Sequence, residues 1–317
     1  MGRKLALDFK LSDYFVVFAL VAMCVVISLF SPVFFTSANI MNIFVQSAVN
    51  GILAIGLTKC ILTGGIDLSV GSVLCLAGIM MGFVHLWMGE ANALTPLLSI
   101  LAALAVGLIA GLTSGTLIAK GKLPPFIATL GMMQIARGLS LTFSGGRPLF
   151  PFHPFIRNVG GTANRMVPVA IMIMLFVIAW WVLRYTKQGR NIYAVGGNIE
   201  AARLSGINTD RVIIITYMIS GVMAAIAGIV LTGRLNTAMP TAGLGFELDA
   251  IAAAVIGGTS MKGGEGRMIG TFIGALFISV LRNGLSIMNI SSFFQQVVIG
   301  LVLIGAVLFD TLNTKRA

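Results

Sequence analysis

The chain alternates between long apolar runs and short polar segments over almost its whole length. A helix needs about 20 apolar residues to cross the roughly 30 Å hydrocarbon core of a bilayer, because its backbone polar groups must be satisfied within the segment. The pattern therefore predicts nine membrane-spanning helices, at residues 14–31, 43–63, 68–88, 94–119, 123–143, 166–183, 212–231, 268–287 and 293–309.

A tenth apolar stretch, residues 246–260, is shorter and carries Glu247 and Asp249 near its start. Its length fits a tilted short span, a broken helix or a re-entrant segment. If this stretch crosses, the chain has about ten transmembrane helices and both termini lie on one side of the membrane.

The basic residues favour ten crossings, because cytoplasmic loops collect lysine and arginine. With ten crossings, the cytoplasmic segments hold Arg3, Lys4, Lys10, Lys120, Lys122, Arg184, Lys187, Arg190, Arg203, Arg211, Lys262, Arg267, Lys315 and Arg316. The opposite side holds mainly Arg147, Arg157 and Arg165. We therefore expect a multi-pass protein of the cytoplasmic (inner) membrane with both termini in the cytoplasm.

Composition agrees with a protein embedded in the lipid bilayer, since 57% of the residues are hydrophobic and only 10% are charged. The net charge of +11 is spread over loops without a basic cluster, so no nucleic-acid partner is expected. The three cysteines lie in apolar segments without metal-ligand spacing, and no phosphate-binding loop is present. The sequence therefore predicts no catalytic residue, cofactor or metal, and no enzyme.

Two polar segments interrupt the apolar pattern. Residues 184–211 form a charged loop in which Glu200, Ala201 and Ala202 are followed by Gly206, a pattern that predicts a short helix ending at the glycine. Such a helix can insert into a partner, and an ordinary solvated connector is the alternative. Residues 144–165 are rich in proline and glycine and predict an irregular external loop. It is part of an entrance or of a docking surface, or it is a connector packed over the bundle.

Glycines spaced four residues apart recur within the spans and predict close helix contacts. They are Gly78 and Gly82, then Gly107, Gly111 and Gly115, then Gly270 and Gly274. The motif GLIAG at 107–111 is echoed by GTFIG at 270–274, and each is followed by a glycine at the same distance from its first residue. The echo indicates two related halves with a pathway between them, or a chance match.

Ionisable residues near the apolar runs are candidates for a pathway or a gate, because charges in a membrane are costly. Asp67, Glu247 and Asp249 belong to this group, although each also suits a helix N-terminus, and Asp67 could cap a helix that begins at Leu68. The basic residues Lys59, Arg137 and Arg282 either extend toward the interface or pair within the bundle.

Four long blocks, in this order, carry a resemblance to a known family. They are ILTGGIDLSVGS at 61–72, PPFIATLGMMQIARG at 124–138, QGRNIYAVGGNIEAARLSGIN at 188–208, and PTAGLGFELDAIAAAVIGGTSMKGGEGRMIGTFIGALF at 240–277. The chain resembles, over nearly its whole length, the permease subunits of ribose-type monosaccharide ATP-binding-cassette (ABC) importers.

The resemblance implies a single transmembrane permease domain, 1–317, that pairs with a second copy, a cytoplasmic ATP-binding subunit and an external (periplasmic) sugar-binding protein. It implies an all-α architecture of ten helices in two related halves, like that of the type II, cobalamin-type importers. Residues 184–211 are then the coupling loop, in which Glu200, Ala201, Ala202 and Gly206 match the part that couples to the ATPase.

The expected function is import of a monosaccharide, with ribose as the first choice. A sugar pathway needs groups that exchange hydrogen bonds with hydroxyls, and the candidate amides are Gln46, Asn50, Asn283, Gln295 and Gln296. Hydrogen bonds between helices explain these amides equally well. The alternatives are a permease for branched-chain amino acids or another small metabolite, and an ion-coupled secondary carrier.

Overall fold

The computed structural model describes residues 11–89 and 92–314, and this part of the chain is built from thirteen helices. They are α1 (Leu11–Phe30), α2 (Ser37–Leu62), α3 (Val70–Met88), α4 (Thr95–Ala119), α5 (Pro125–Ser144), α6 (Pro154–Val159), α7 (Met166–Tyr185), α8 (Lys187–Gly197), α9 (Ile199–Leu204), α10 (Thr209–Leu235), α11 (Phe246–Ile256), α12 (Met268–Ile287) and α13 (Ser292–Thr314). No strand forms among these residues, apart from one isolated antiparallel bridge between Leu149 and Ala238.

The described helices confirm an all-α polytopic membrane protein. Seven of them, namely α2, α3, α4, α5, α7, α10 and α12, are long and apolar enough to cross a membrane. Each coincides with a predicted span to within a few residues. The other two predicted spans, 14–31 and 293–309, coincide with α1 and α13, whose described apolar parts are shorter.

The tenth apolar stretch forms the short helix α11 and then a turn at Gly257 and Gly258. Its 11 residues rise about 16 Å, so the helix alone does not cross the hydrocarbon core. Residues Ala250 to Ala254 are buried against neighbouring helices. The segment is therefore a broken or re-entrant element enclosed by protein, where irregular backbone is tolerated at membrane depth.

Two long helices, α2 and α10, lie side by side at the centre of the bundle. Helices α3 and α4 pack on α10, while α11 and α12 pack on α2. Helix α5 then covers α3, and α13 covers α11. The second half of α2, from Ser47 to Leu62, is buried throughout, so this helix forms the core of the described protein.

The predicted close contact between helices is confirmed at the glycines of α4. Side chains added at Gly107, Gly111 and Gly115 would collide with the backbone of α10. A side chain at Gly270 or Gly274 of α12 would meet the backbone around Gly257 or Ala253 in the same way. These glycines let helix backbones touch where no hydrophobic effect drives helices together in lipid.

Replacement of Gly111 by leucine is expected to destroy the folded bundle, because the new side chain would overlap the Tyr217 carbonyl and the Met218 backbone. The monodisperse fraction in detergent, measured by size-exclusion chromatography, should fall to a small part of that of the unsubstituted chain. Gly305→Leu in α13 is the matched control, because nothing lies within 4 Å of a side chain there. Equal losses in both variants would contradict the assigned contact.

The connector of residues 144–165 is more ordered than the irregular loop predicted from its prolines and glycines. It contains helix α6, and its side chains Phe152 and Ile156 are buried against α3 and α10. The backbone amide of Phe152 donates to the Asn236 carboxamide at 3.0 Å. The connector is packed over the bundle, because two large apolar side chains gain burial there.

Candidate functional site

The charged segment between α7 and α10 is helical rather than a loop with one short helix. Helix α8 was not predicted, whereas α9 confirms the helix expected around Glu200 to Ala202. The Asn198 carboxamide accepts the Ala201 amide at 2.9 Å and begins α9. Gly206, with φ of +80°, follows the helix in the left-handed region, where glycine is favoured.

Helix α9 presents most of its side chains to solvent. Ala202 alone is buried against the bundle, while Glu200, Ala201 and Arg203 are exposed and Leu204 is 90% exposed. Glu200 and Arg203 form an ion pair of 3.3 Å, which contributes little stability at such an exposed place. The helix is thus held by one alanine and offers an apolar tip beside charged groups.

Helix α8 connects this exposed helix to the core. Its side chains Ile192 and Val195 are buried, and a side chain at Gly196 would collide with the carbonyl of Leu62 at the end of α2. The Tyr193 hydroxyl donates to the Gly266 carbonyl at 2.8 Å. Burial raises the pKa of the Tyr193 phenol, so it stays protonated as a donor. Helix α8 therefore contacts both the end of α2 and the loop residues Gly264 and Gly266.

Asp67 lies in the irregular segment between α2 and α3 and is fully enclosed. Its carboxylate accepts the Ser69 amide at 3.0 Å, the Ser69 hydroxyl at 2.6 Å and the Ser220 hydroxyl at 2.7 Å. Ser220 lies eleven residues beyond Thr209, the first residue of α10, or about 16 Å along its axis. Asp67 therefore contacts α10 near the middle of that helix.

The expected helix start at Leu68 is wrong, because α3 begins at Val70. Asp67 still accepts the backbone amide of Ser69, which precedes that helix. Its third bond, to Ser220, ties the segment to α10, which is 153 residues away along the chain. Asp67 consequently combines a local turn with a contact between helices.

The Asp67→Leu variant is expected to lose roughly 1–3 kcal/mol of unfolding free energy, because buried donors of Ser69 and Ser220 lose their acceptor. Unfolding of the purified chain in mixed micelles measures this change. Ser220→Ala, which removes one of the three bonds, should cost about 1 kcal/mol. Unchanged stability of Asp67→Leu would show that the carboxylate does not hold the turn.

A second buried polar group joins α2, α11 and α12. Arg282 Nη2 lies 2.8 Å from each carboxylate oxygen of Asp249, and the Asn50 carboxamide donates to the same carboxylate at 3.5 Å. Asp249 is only 1% exposed. Of the two alternatives for Arg282, the structure favours pairing within the bundle.

The remaining candidate amides do not converge on one site. Asn283 and Asn39 exchange two hydrogen bonds of 2.9 and 3.0 Å between α12 and α2. Gln295 donates to the Ser286 hydroxyl and the Ile290 carbonyl at the start of α13. Gln46 is half-buried in α2, and Gln296 is exposed. Asn50 and Asp249 are the predicted residues that the fold brings together.

Arg137 holds the segment between α10 and α11, a role that the sequence did not reveal. Its Nη1 donates to the carbonyls of Pro240 and Ala242, each at 2.9 Å. Half-buried Glu247 is close to Gly71 of α3, where an added side chain would collide with its carboxylate. Arg137 therefore fixes the entry into α11 from the side of α5, which explains one basic residue within an apolar span.

Comparison with known proteins identifies a family match and full-length relatives. The family described as "Branched-chain amino acid transport system / permease component" matches residues 39–307. The ribose import permease protein RbsC of Escherichia coli K12 is 44% identical, with 99% of this chain and 98% of that protein covered. No solved structure matches the chain.

Two further relatives also match over most of both chains. The ribose import permease protein RbsC of Bacillus subtilis 168 is 44% identical, over 95% of this chain and 92% of that protein. The D-allose transport system permease protein AlsC of Escherichia coli K12 is 39% identical, over 96% of this chain and 93% of that protein.

Proposed function

This chain belongs to the family of branched-chain amino acid transport system permease components, and on that premise we propose that it is the membrane-spanning permease of an ATP-driven ribose importer. The observation that carries the proposal is the 44% identity to ribose import permeases over almost the whole chain. The chain is a transport subunit, so the sugar crosses without chemical change.

A sugar is a better substrate for this chain than a branched-chain amino acid, although the family description names the latter. The relatives that match at 39% to 44% identity are named for ribose and D-allose. Unlabelled ribose should therefore compete with labelled ribose for uptake, and leucine should not. Competition by leucine alone would favour the amino-acid alternative.

The importer needs partners, because this chain contains no phosphate-binding loop of its own. A cytoplasmic ATP-binding subunit supplies hydrolysis, and an external sugar-binding protein delivers the sugar to the outer mouth. A second copy of the permease completes the pathway. Binding of ATP closes the ATP-binding halves, and that closure changes which side of the membrane the pathway faces.

The coupling surface comprises Glu200, Ala201, Ala202 and Gly206 within residues 184–211. Support comes from the shape of the segment, since α9 is exposed while α8 touches the end of α2. A displacement of α9 is transmitted through α8 to Leu62, because Gly196 of α8 lies against the Leu62 carbonyl. The turn that contains Asp67 follows Leu62 directly along the chain. Contacting elements of this kind can transmit a displacement over such a distance.

The proposed architecture has ten crossings, two related halves and the type II arrangement within one domain, 1–317. The pattern of contacts between helices supports two halves: α10 packs on α3 and α4, whereas α2 packs on α11 and α12. The two sets of contacts correspond when α2 is matched with α10, α3 with α11, α4 with α12 and α5 with α13. In this scheme the broken segment that contains α11 provides one crossing.

The proposed topology places both termini in the cytoplasm. Lys122 pairs with Asp210 at 3.1 Å, and the Lys262 carbonyl lies near Gly64, so basic loops gather at the end that carries α8 and α9. Arg165 contacts Asn42 at the other end of the bundle. The grouping agrees with the excess of basic residues in cytoplasmic loops.

The polar candidates take two roles in this proposal. Gln46, Glu247 and Gln296 retain exposed or half-exposed groups and are assigned to the pathway. Asp67, Asn50, Asp249, Asn283 and Gln295 are engaged in internal hydrogen bonds and are assigned to gating. Their bonds join helices that must move when the pathway changes sides.

An ion-coupled secondary carrier is the second class of function to be tested, because Asp67 is a carboxylate deep in the bundle. Asp67→Asn keeps the shape and removes the charge. Under the ATP-driven proposal, neither the unsubstituted chain nor this variant needs a proton or sodium gradient for uptake. Loss of a gradient dependence that the unsubstituted chain possesses would favour the carrier.

Gentle purification of the tagged chain from its native membrane tests the proposed class. Mass spectrometry of the eluate should reveal an ATP-binding subunit. Its reproducible absence, with the chain intact and folded, would shift the assignment to a secondary carrier.

A further inference from the structure

The outward face of α5 carries an amide at the middle of the helix. Gln134 is the tenth of the 20 residues of α5, and its side chain is exposed in the single chain. It has no hydrogen-bond partner among the residues that the structure describes. An amide at this depth of a membrane-spanning helix needs partners that hydrocarbon tails cannot supply.

Two exposed threonines of the spans satisfy their hydroxyls locally. The Thr113 hydroxyl donates to the Ile109 carbonyl at 2.8 Å, and the Thr142 hydroxyl donates to the Gly138 carbonyl at 2.9 Å. A threonine can face lipid in this way. A glutamine carboxamide has two donor hydrogens and an acceptor, and Gln134 uses none of them with the described residues.

The surroundings of Gln134 leave room for another molecule. Gly131 and Gly138 lie one turn before and after it on the same helix face, and no atom lies within 4 Å of a side chain added at either one. The exposed face of α7, in contrast, is covered by Ile173, Val177 and Trp181. That face has the bulky apolar surface typical of lipid contact. On α5, exposed Ile127 and Leu141 lie two turns away from Gln134, and the two glycines leave open space directly beside the amide.

Polar groups continue from Gln134 toward the end of the bundle that carries the connector of residues 144–165. Arg137 lies one turn further along α5 and donates to the carbonyls of Pro240 and Ala242. Thr241, which lies between Pro240 and Ala242 in the sequence, is exposed. A solute that arrives from this end meets a series of hydrogen-bonding groups that ends near Gln134.

We propose that the face of α5 formed by Gly131, Gln134 and Gly138 lines the sugar pathway, and that the Gln134 carboxamide binds hydroxyls of the sugar. An amide donates and accepts at once, which matches neighbouring hydroxyls, and the two glycines leave space for the ring. This inference rests on the proposed function and adds a substrate-contacting residue to it.

Accessibility to a charged, membrane-impermeant thiol reagent tests the first part in the complete importer. Gln134→Cys should be labelled, and ribose should slow the labelling. Ile173→Cys on the lipid-facing side of α7 is the matched control and should stay unlabelled. The unsubstituted chain gives the background from Cys24, Cys60 and Cys75. Absence of labelling at position 134 would overturn the proposed location.

Uptake tests the second part. Gln134→Leu should weaken the apparent affinity for ribose roughly tenfold, because loss of one hydrogen bond changes an equilibrium constant by about that factor, while the ATP-binding subunit still copurifies. Gln134→Asn should retain part of the affinity. Normal uptake by Gln134→Leu, with labelling that ribose does not slow, would overturn the sugar contact. A failure of the unsubstituted importer to carry ribose would instead refute the proposed function.

Discussion

Replacing Leu204 by glutamate is expected to abolish ATP-driven uptake while the chain still folds and inserts. Leu204 is 90% exposed, so the substitution removes no contact within the chain. If α9 docks into the ATP-binding subunit, the new charge enters a desolvated interface, where one anchor residue is worth at least about 2 kcal/mol. Affinity for that subunit should then fall about 30-fold or more.

Three measurements on the same preparation separate docking from folding. Size-exclusion chromatography reports folding, copurification reports binding of the ATP-binding subunit, and labelled ribose reports uptake. Glu200→Lys, on the same helix, should insert normally but lower sugar-stimulated ATP hydrolysis. Arg190→Glu on the exposed side of α8 is the charge control and should have a smaller effect. Full copurification and full uptake with Leu204→Glu would contradict the assignment of α9.

Replacing Arg282 by leucine is expected to cost about 3 kcal/mol of stability or more, since breaking a buried ion pair typically costs 3–5 kcal/mol. The lower part of that range applies because Arg282 is 28% exposed, whereas Asp249 is 1% exposed. The variant leaves the Asp249 carboxylate without its cation. Helices α11 and α12 should then separate at lower temperature, which thermal unfolding in detergent would detect.

The double variant Asp249→Leu with Arg282→Leu removes both charges and should recover most of the lost stability, because apolar replacement of a buried pair is often neutral. Arg211→Leu makes the same substitution at an exposed arginine and should change stability little. Equal stability of Arg282→Leu and Arg211→Leu would show that the pair does not hold α11 to α12.

The long spans could be predicted because a bilayer sets a length and a polarity that each segment must meet by itself. Helix α9 was predictable because its signals also lie within the segment itself: Asn198 marks its start and Gly206 marks its end. Helix α8 was not, because its glycines and charges disfavour a helix in isolation. Burial of Ile192 and Val195 against the bundle stabilises it instead.

The polar contacts could not be predicted, because they depend on how helices are rotated and placed beside each other. Asn39 and Asn283 are 244 residues apart, and Arg282 reaches Asp249 on a neighbouring helix. Gln134 was missed for the same reason. The sequence around a glutamine in an apolar span is the same whether the side chain faces a helix, lipid or a pathway. Its exposure in the folded chain excludes a contact with a neighbouring helix of the described residues.

Uptake of labelled ribose into proteoliposomes tests the central claim most directly. The vesicles hold the permease with its ATP-binding subunit, and the sugar-binding protein is added on the side from which ribose enters. We predict uptake that requires ATP and the binding protein and that unlabelled ribose suppresses, while leucine does not. Ribose uptake driven by a proton or sodium gradient without ATP, or leucine uptake without ribose uptake, would contradict the claim.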